Sequence, residues 1–260
     1  MPALKVAIQL ASLRLPFKKA MHAAARMRPD AVEIDARHQV KPSEMGRTSI
    51  RHLRKSLEDL NLRVCAVEFR TRHGYNVMEN LDARVEATKR AMSLAYDLGA
   101  SVVVNQIGNV PSDAESTDWQ LMVEVLTDLG KHGERTGAIL AAETGTESGE
   151  ELASLLSALP AGCLGITLDP GNLIVNGFSP SEAISALGQD IVYVHAKDGV
   201  RDLAQRRGLE VPLGRGTADW PAIIGALENY EFRGYFTIER EKSDDPVGEI
   251  GNAVKFLRSM

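Results

Sequence analysis

A single-domain (β/α)8 barrel is the fold class that this sequence predicts, and three observations predict it. Eight short apolar runs alternate with amphipathic segments of helical length. Four successive runs end in a residue able to bind a metal. No Pro/Gly/Ser-rich linker or low-complexity stretch divides the 260 residues, a length close to the roughly 250 that such a barrel takes.

The runs are, in order, KVAIQLA (5–11), AVEID (31–35), RVCAVEF (63–69), SVVVNQI (101–107), AILAAE (138–143), CLGITLD (163–169), IVYVH (191–195) and YFTIE (235–239). They are too short and too β-branched for buried helices, so they read as parallel strands covered on both faces. Between them the spacing predicts helices over 16–27, 50–60, 81–99, 119–137, 149–159, 180–188, 219–230 and 247–258. In the third, Val85, Thr88, Ala91, Met92 and Ala95 form one helical stripe. Gly99 and Gly137 stand where C-terminal caps belong, and Pro16 where a first helical residue is tolerated. Strict alternation without hairpin signals argues for a parallel sheet with helices outside it. A doubly wound sheet would carry G-x-G-x-x-G after its first strand, and this chain does not. The longest interruption, from about Gly199 to Thr217, follows the seventh strand and would lie on the catalytic face of a barrel.

Composition excludes several function classes. Lys and Arg total 30 against 35 Asp and Glu, for a net charge of −5, and no basic cluster stands out. Nucleic-acid binding through a charged patch is therefore not expected. No apolar stretch approaches the ~20 residues that span a bilayer. The first residues, MPALKVAIQL, lack the features of a signal peptide. A cytoplasmic protein is the expectation. Cys65 and Cys163 both lie inside apolar runs and are expected to be buried free thiols.

The residues that carry chemistry are Glu143, Asp169, His195 and Glu239, one at the end of each of four successive runs. On a barrel they would meet at the C-terminal face. Three carboxylates and an imidazole suit Mn²⁺, Mg²⁺, Co²⁺ or Zn²⁺. Earlier strand ends carry Glu33, Asn105 and Gln106, with Arg70 and His73 beyond the third, as candidates to line a substrate pocket. The stretch GRGTADW (214–220) has two glycines before a helix start, with Asp219 in its first turn. It fits a phosphate cradle, or a plain loop capped by Thr217.

The segments AAETGTE, LDPGNL, VHAKD with the following LGRGTADW, and TIERE together resemble the sugar-phosphate isomerase/epimerase superfamily, the xylose-isomerase-like TIM barrels. That resemblance implies a TIM barrel holding one divalent ion with Glu143, Asp169, His195 and Glu239. It implies Glu143 and Glu239 as catalytic acid and base, and Arg201 as a holder of substrate oxygens. Lys197 and Asn172 are further substrate-binding candidates, beside His73, Asn105 and Glu33. Asp198 is the candidate acceptor for the second His195 nitrogen, which a metal-bound imidazole needs. Two positions depart from the ketose 3-epimerase pattern: Asn172 replaces a histidine and Gly149 replaces a glutamate. They point to a relative acting on another polyol, keto-sugar or sugar acid.

The leading functional expectation is an isomerase or epimerase that removes a proton next to a carbonyl through an enediolate, with the ion as Lewis acid. The runner-up is a dehydratase or lyase that begins with the same proton abstraction. A non-catalytic binding protein on the same barrel comes third. The expected partner is a small sugar or polyol, with neither nucleic acid nor membrane involved; relatives of this kind often form homo-oligomers.

Overall fold

The computed structural model describes residues 3–202 and 207–260. Its strands are β1 (Val6–Gln9), β2 (Ala31–Asp35), β3 (Val64–Glu68), β4 (Val102–Asn105), β5 (Ile139–Glu143), β6 (Gly165–Leu168), β7 (Ile191–Ala196), β8 (Asp198–Asp202), β9 (Arg207–Val211) and β10 (Phe236–Ile238). Eight of them close a barrel in the order β1-β10-β7-β6-β5-β4-β3-β2, and every pairing within it is parallel. Each apolar run predicted as a strand overlaps one of these eight, with β7 extending one residue past its run. The helices are α1 (Phe17–Met27), α2 (Arg47–Asp59), α3 (Leu81–Asp97), α4 (Thr117–Thr136), α5 (Gly149–Ser157), α6 (Pro170–Asn176), α7 (Pro180–Leu187), α8 (Trp220–Asn229) and α9 (Pro246–Arg258). Among the described residues, no helix is long and apolar enough to cross a membrane.

The period-two alternation of strand side chains sorts the barrel into two layers. Val6, Ile8, Val32, Ile34, Val103, Leu140, Val194 and Ile238 point outward into the apolar shell shared with the helices. The alternate positions point inward, and around Tyr193 they are small: Ala7, Ala31, Ala66 and Ala141. Tyr193 fills the floor of the barrel, with its hydroxyl 3.2 Å from Cys65 Sγ. Burial pushes the Cys65 thiol up to about 12, so it packs without reacting. Two residues further along the same inward rows come Gln9, Glu33, Glu68, Glu143 and His195, all buried. The floor is thus apolar and the C-terminal end polar because one alternation carries both.

Helices dock closely where glycines allow it. On α4, Met122, Leu126 and Leu129 are buried, each worth roughly 1.5–3 kcal/mol. A Cβ on Gly130 of the same helix would stand 1.9 Å from Cys163 Sγ, so only glycine permits this approach. Gly137 closes α4 with φ 80°, the left-handed cap that its position predicts. Pro16, in contrast, precedes α1 as its N-cap instead of opening it.

Two features depart from expectation. Residues 170–176 form α6, a helix outside the segments that the spacing predicts. The helix follows from Asp169, whose Oδ1 accepts from the Asn172 N–H at 2.8 Å and caps it, with Pro170 at the tolerated first position. The long segment after β7 contains an antiparallel pair, β8 with β9, in which Val200 faces Leu209. This hairpin lies on α6: a Cβ at Gly208 would fall 2.2 Å from the Val175 carbonyl oxygen.

Candidate metal and substrate site

Glu143, Asp169, His195 and Glu239 meet at the C-terminal end of the barrel. All four are buried, and one ligand atom from each lies within 4.8 Å of the others. Glu143 closes β5, Asp169 follows β6, His195 lies near the end of β7 and Glu239 follows β10. Adjacent parallel strands bring the four to one level, as in the β10–β7 register that sets Thr237 beside His195.

The imidazole is held on both nitrogens. His195 Nδ1 lies 2.8 Å from Glu143 Oε1 and 3.2 Å from Glu239 Oε2. Nε2 lies 3.1 Å from Glu33 Oε2. Burial favours the neutral ring, but the surrounding carboxylates of Glu33, Glu239 and Glu143 outweigh it and hold His195 well above the usual histidine range. The other oxygen of Glu33 accepts from Gln9 Nε2 at 2.9 Å, and Gln9 Oε1 accepts from the Ser12 hydroxyl at 2.5 Å.

Two cations complete the cluster. Lys197 Nζ lies 3.2 Å from Glu239 Oε2, 2.9 Å from Glu241 Oε1 and 3.6 Å from Asp169 Oδ2. Arg70 reaches Glu239 Oε1 at 2.6 Å and Glu68 Oε1 at 2.5 Å. Burial raises Glu239, yet Lys197, His195 and Arg70 more than reverse this and hold it well below the carboxylate range. Asp169 goes the other way. Burial pushes it up to about 7, with Lys197 opposing and the Glu143 and Glu239 charges reinforcing.

Asp169 Oδ2 is buried and accepts no hydrogen bond. A buried carboxylate oxygen with a cation no nearer than 3.6 Å and no hydrogen bond is costly inside a protein. Together with an imidazole and two further carboxylates, it forms a donor set that fits a divalent cation such as Mg²⁺, Mn²⁺, Co²⁺ or Zn²⁺.

A cleft of about 380 Å³ opens beside this cluster. Its lining includes Arg70, His73, Gln106, Glu143, Glu147 and Asn172. Gln106 Nε2 donates to Glu143 Oε2 at 2.9 Å, fixing that carboxylate at the cleft wall. Gly145, at φ 147°, brings the β5 loop so close to Asn172 that a Cβ there would fall 2.5 Å from the Asn172 Cβ.

Of the expected site residues, Glu143, His73 and Asn172 line the cleft, whereas Asn105, Glu33, Asp198 and Arg201 belong neither to its lining nor to the four-residue cluster. Asn105 is fully buried and donates to the Phe69 carbonyl, because it occupies an outward position of β4 while its neighbour Gln106 faces in. Glu33 is sealed beneath His195, where it takes the role expected of Asp198. Asp198, one position off the inward row, turns instead into the loop that follows. Its carboxylate accepts from the amides of Gly199 (2.9 Å), Gly214 (2.9 Å), Gly216 (3.1 Å) and Ala218 (3.2 Å). Arg201 is exposed on β8, its guanidinium 3.4 Å from the Gly177 carbonyl at the end of α6. In the same loop Asp219, not Thr217, caps α8, accepting from the Ala222 N–H at 3.1 Å. Gln9 carries no motif of its own, and Glu241 ends the TIERE segment without being singled out by it. Counting by two from Ala7 and Glu239 along the inward rows would find both.

Residues 21–260 match the xylose isomerase-like TIM barrel family. An inosose dehydratase from Bacillus thuringiensis is 24% identical over 226 residues, covering 75% of this chain and 74% of its own length. A magnesium complex of a xylose isomerase-like TIM barrel protein from Mycobacterium smegmatis superposes with a TM-score of 0.80 at 18% identity, covering 99% of this chain and 95% of that one. D-allulose 3-epimerase from a Methylomonas species, bound to D-allulose, gives 0.78 at 18% identity, with 99% and 97% covered. With the closed eight-stranded barrel and a match over nearly the whole length, this chain belongs to the xylose isomerase-like TIM barrel family.

Proposed function

We propose that this protein is a divalent-metal-dependent isomerase or epimerase acting on a small sugar or polyol by proton transfer next to a carbonyl. The observation that carries the reading is the buried cluster of Glu143, Asp169, His195 and Glu239, in which Asp169 Oδ2 accepts no hydrogen bond and Glu143 lines a polar cleft. These four side chains would hold the ion. When bound, it supplies Lewis-acid stabilisation of negative charge on the substrate oxygens.

The remaining work falls to the chain itself. Glu143 and Glu239 are assigned as the proton carriers, one taking the proton from the carbon and the other returning it. Lys197, held well above its usual range by Asp169 and Glu239 despite burial, stays charged and steadies a developing oxyanion. Asn172 and His73 on the cleft lining contact hydroxyl groups. Gln106 keeps the Glu143 carboxylate turned to the substrate. Glu33 positions His195 from below.

A dehydratase is the second reading, favoured by the similarity to an inosose dehydratase over three quarters of the chain. Both readings begin with the same proton abstraction. Incubating the metal-loaded protein with ketoses and inososes in D2O separates them. Deuterium at the carbon next to the carbonyl, with a changed sugar and no new ultraviolet absorbance, supports isomerisation or epimerisation. New absorbance from a conjugated enone marks elimination. Absence of both exchange and product across the panel would sink the catalytic reading.

A further inference from the structure

We infer that Glu210, on the hairpin strand β9, is a positioning residue for the site: it sets the loop after β10 and, through Glu241, the two cations beside Glu239. The inference rests on the proposed proton-transfer reading and adds to it a residue outside both the four-residue cluster and the cleft lining.

The contacts form a closed circuit. β8 begins immediately after Lys197, and its pairing with β9 sets Gly199 opposite Glu210. From there the Glu210 carboxylate crosses to the loop after β10. Its Oε1 accepts from the Glu241 N–H at 2.9 Å and its Oε2 from the Lys242 N–H at 3.1 Å. The Glu241 side chain then returns to the start: its Oε1 lies 2.9 Å from Lys197 Nζ and 3.3 Å from both terminal nitrogens of Arg70.

Glu241 needs this support. Its side chain is 40% exposed, and an ion pair so open to water is too weak to fix two long side chains. Its backbone must be held from outside. Ser12 and Arg14 grip one side of the loop. The Ser12 hydroxyl accepts from the Arg240 N–H at 2.9 Å, and the Arg14 guanidinium donates to the Glu241 and Ser243 carbonyls. The amides of Glu241 and Lys242 face the other way, and Glu210 is their one protein acceptor among the described residues.

Glu210 is itself well anchored. Its side chain is 8% exposed and lies 2.9 Å from Arg240 NH1, while Arg240 Nε donates to Glu249 Oε2 on α9 at 2.6 Å. Without Glu210 the two amides turn to water and the Glu241 carboxylate shifts. Lys197 is then left to Asp169 and Glu239, and Arg70 to Glu68 and Glu239. The four metal-binding side chains stay where they are, so the loss falls on charge placement during proton transfer.

Steady-state kinetics and elemental analysis of the magnesium-loaded protein test the assignment, using the ketose and inosose panel of the deuterium experiment. In Glu210→Ala, kcat should fall about 10–100-fold, the scale of a small misplacement caused from a distance. KM should move by less than about threefold, and magnesium per chain should not change. Glu210→Gln, which keeps one acceptor, should lose less. Glu241→Gln should lose about as much as Glu210→Ala, and the double variant no more than the worse of the two, because both act on the same cations. If Glu210→Ala does not fold, Glu210→Gln with and without Glu241→Gln carries the same comparison. Wild-type kcat in the Glu210 variants would overturn the inference. So would losses that multiply in the double variant, which mark independent actions, or a fall in bound magnesium, which would make Glu210 a support of the metal cluster. A wild-type protein inactive across the panel removes the proton-transfer reading and the inference with it, whereas an active protein indifferent to Glu210 removes the positioning role alone.

Discussion

His195 Nε2 lies 3.1 Å from Glu33 Oε2 while Nδ1 of the same ring faces Glu143. The ring is therefore clamped from a strand three positions around the barrel, and Glu33 is in turn held by Gln9. A carboxylate behind a metal-binding histidine fixes its tautomer and orientation. Glu33→Ala should weaken metal affinity by about 10–100-fold. Glu33→Gln, which keeps one acceptor for the Nε2 proton, should recover part of that loss. Competition against a fluorescent chelator measures both. Equal affinity in wild type and Glu33→Ala would leave Glu33 with a purely structural role.

On the proposed reading, an ion held by the crowded carboxylates around His195 should stabilise the fold. One divalent ion per chain should be found by elemental analysis, and His195→Ala and Asp169→Asn should each lose it. An ion at 100 times its dissociation constant stabilises by about 2.7 kcal/mol. For a chain of this size that corresponds to roughly 5–10 °C in Tm. Stripping with EDTA should lower Tm by that amount and re-adding Mg²⁺ or Mn²⁺ should restore it. A melting curve indifferent to both treatments would argue against the site.

Asp198 offers a stability test. Its carboxylate gathers four backbone amides of the segment after β7. Hydrogen bonds to a charged group are each worth about 1.5–3 kcal/mol, less where partly exposed. Asp198→Ala should destabilise by about 3 kcal/mol or more in urea unfolding and expose residues 212–218 to proteolysis. Asp198→Asn, with one acceptor oxygen left, should fall between. A change below 1 kcal/mol in Asp198→Ala, on the order of an ordinary surface substitution, would mean that the loop is held by its backbone alone.

The barrel and the four-residue cluster were legible in the sequence for the same physical reason. Strands covered on both faces must be apolar, so Glu143, Asp169, His195 and Glu239 stand out at their ends as charges that need a purpose. What was not legible turned on direction, not on composition. Asn105 and Gln106 are adjacent and chemically alike, yet alternation sends one behind the sheet and the other to Glu143. Asp198 and Lys197 are split in the same way. The hairpin of β8 and β9 and helix α6 stayed hidden because neither is stabilised by its own pattern. The hairpin rests on α6 through Gly208 and Gly199, and α6 exists because Asp169 caps it. Tertiary contacts of that kind leave no periodic trace.

A contrast between Glu239 and Arg201 tests the site most directly. Glu239 touches Lys197, Arg70 and His195 at once. Replacing it with Gln keeps its volume and removes one charge from a crowded acidic cluster. Lys197 retains Asp169 and Glu241, and Arg70 retains Glu68. The Glu239→Gln fold should therefore survive, with Tm within a few degrees of wild type. Loss of a positioned proton carrier costs about 10²–10⁴ in rate, so kcat should fall by at least that much. Arg201 is exposed and leans on the Gly177 carbonyl at 3.4 Å, away from the cleft lining. Arg201→Ala should change kcat/KM by no more than about threefold, the scale of a surface substitution. If instead Arg201→Ala raised KM strongly, the hairpin would have to swing its guanidinium into the cleft during turnover. If Glu239→Gln kept near-normal kcat, the proton carrier would have to be sought elsewhere in the cluster, with Glu143 first.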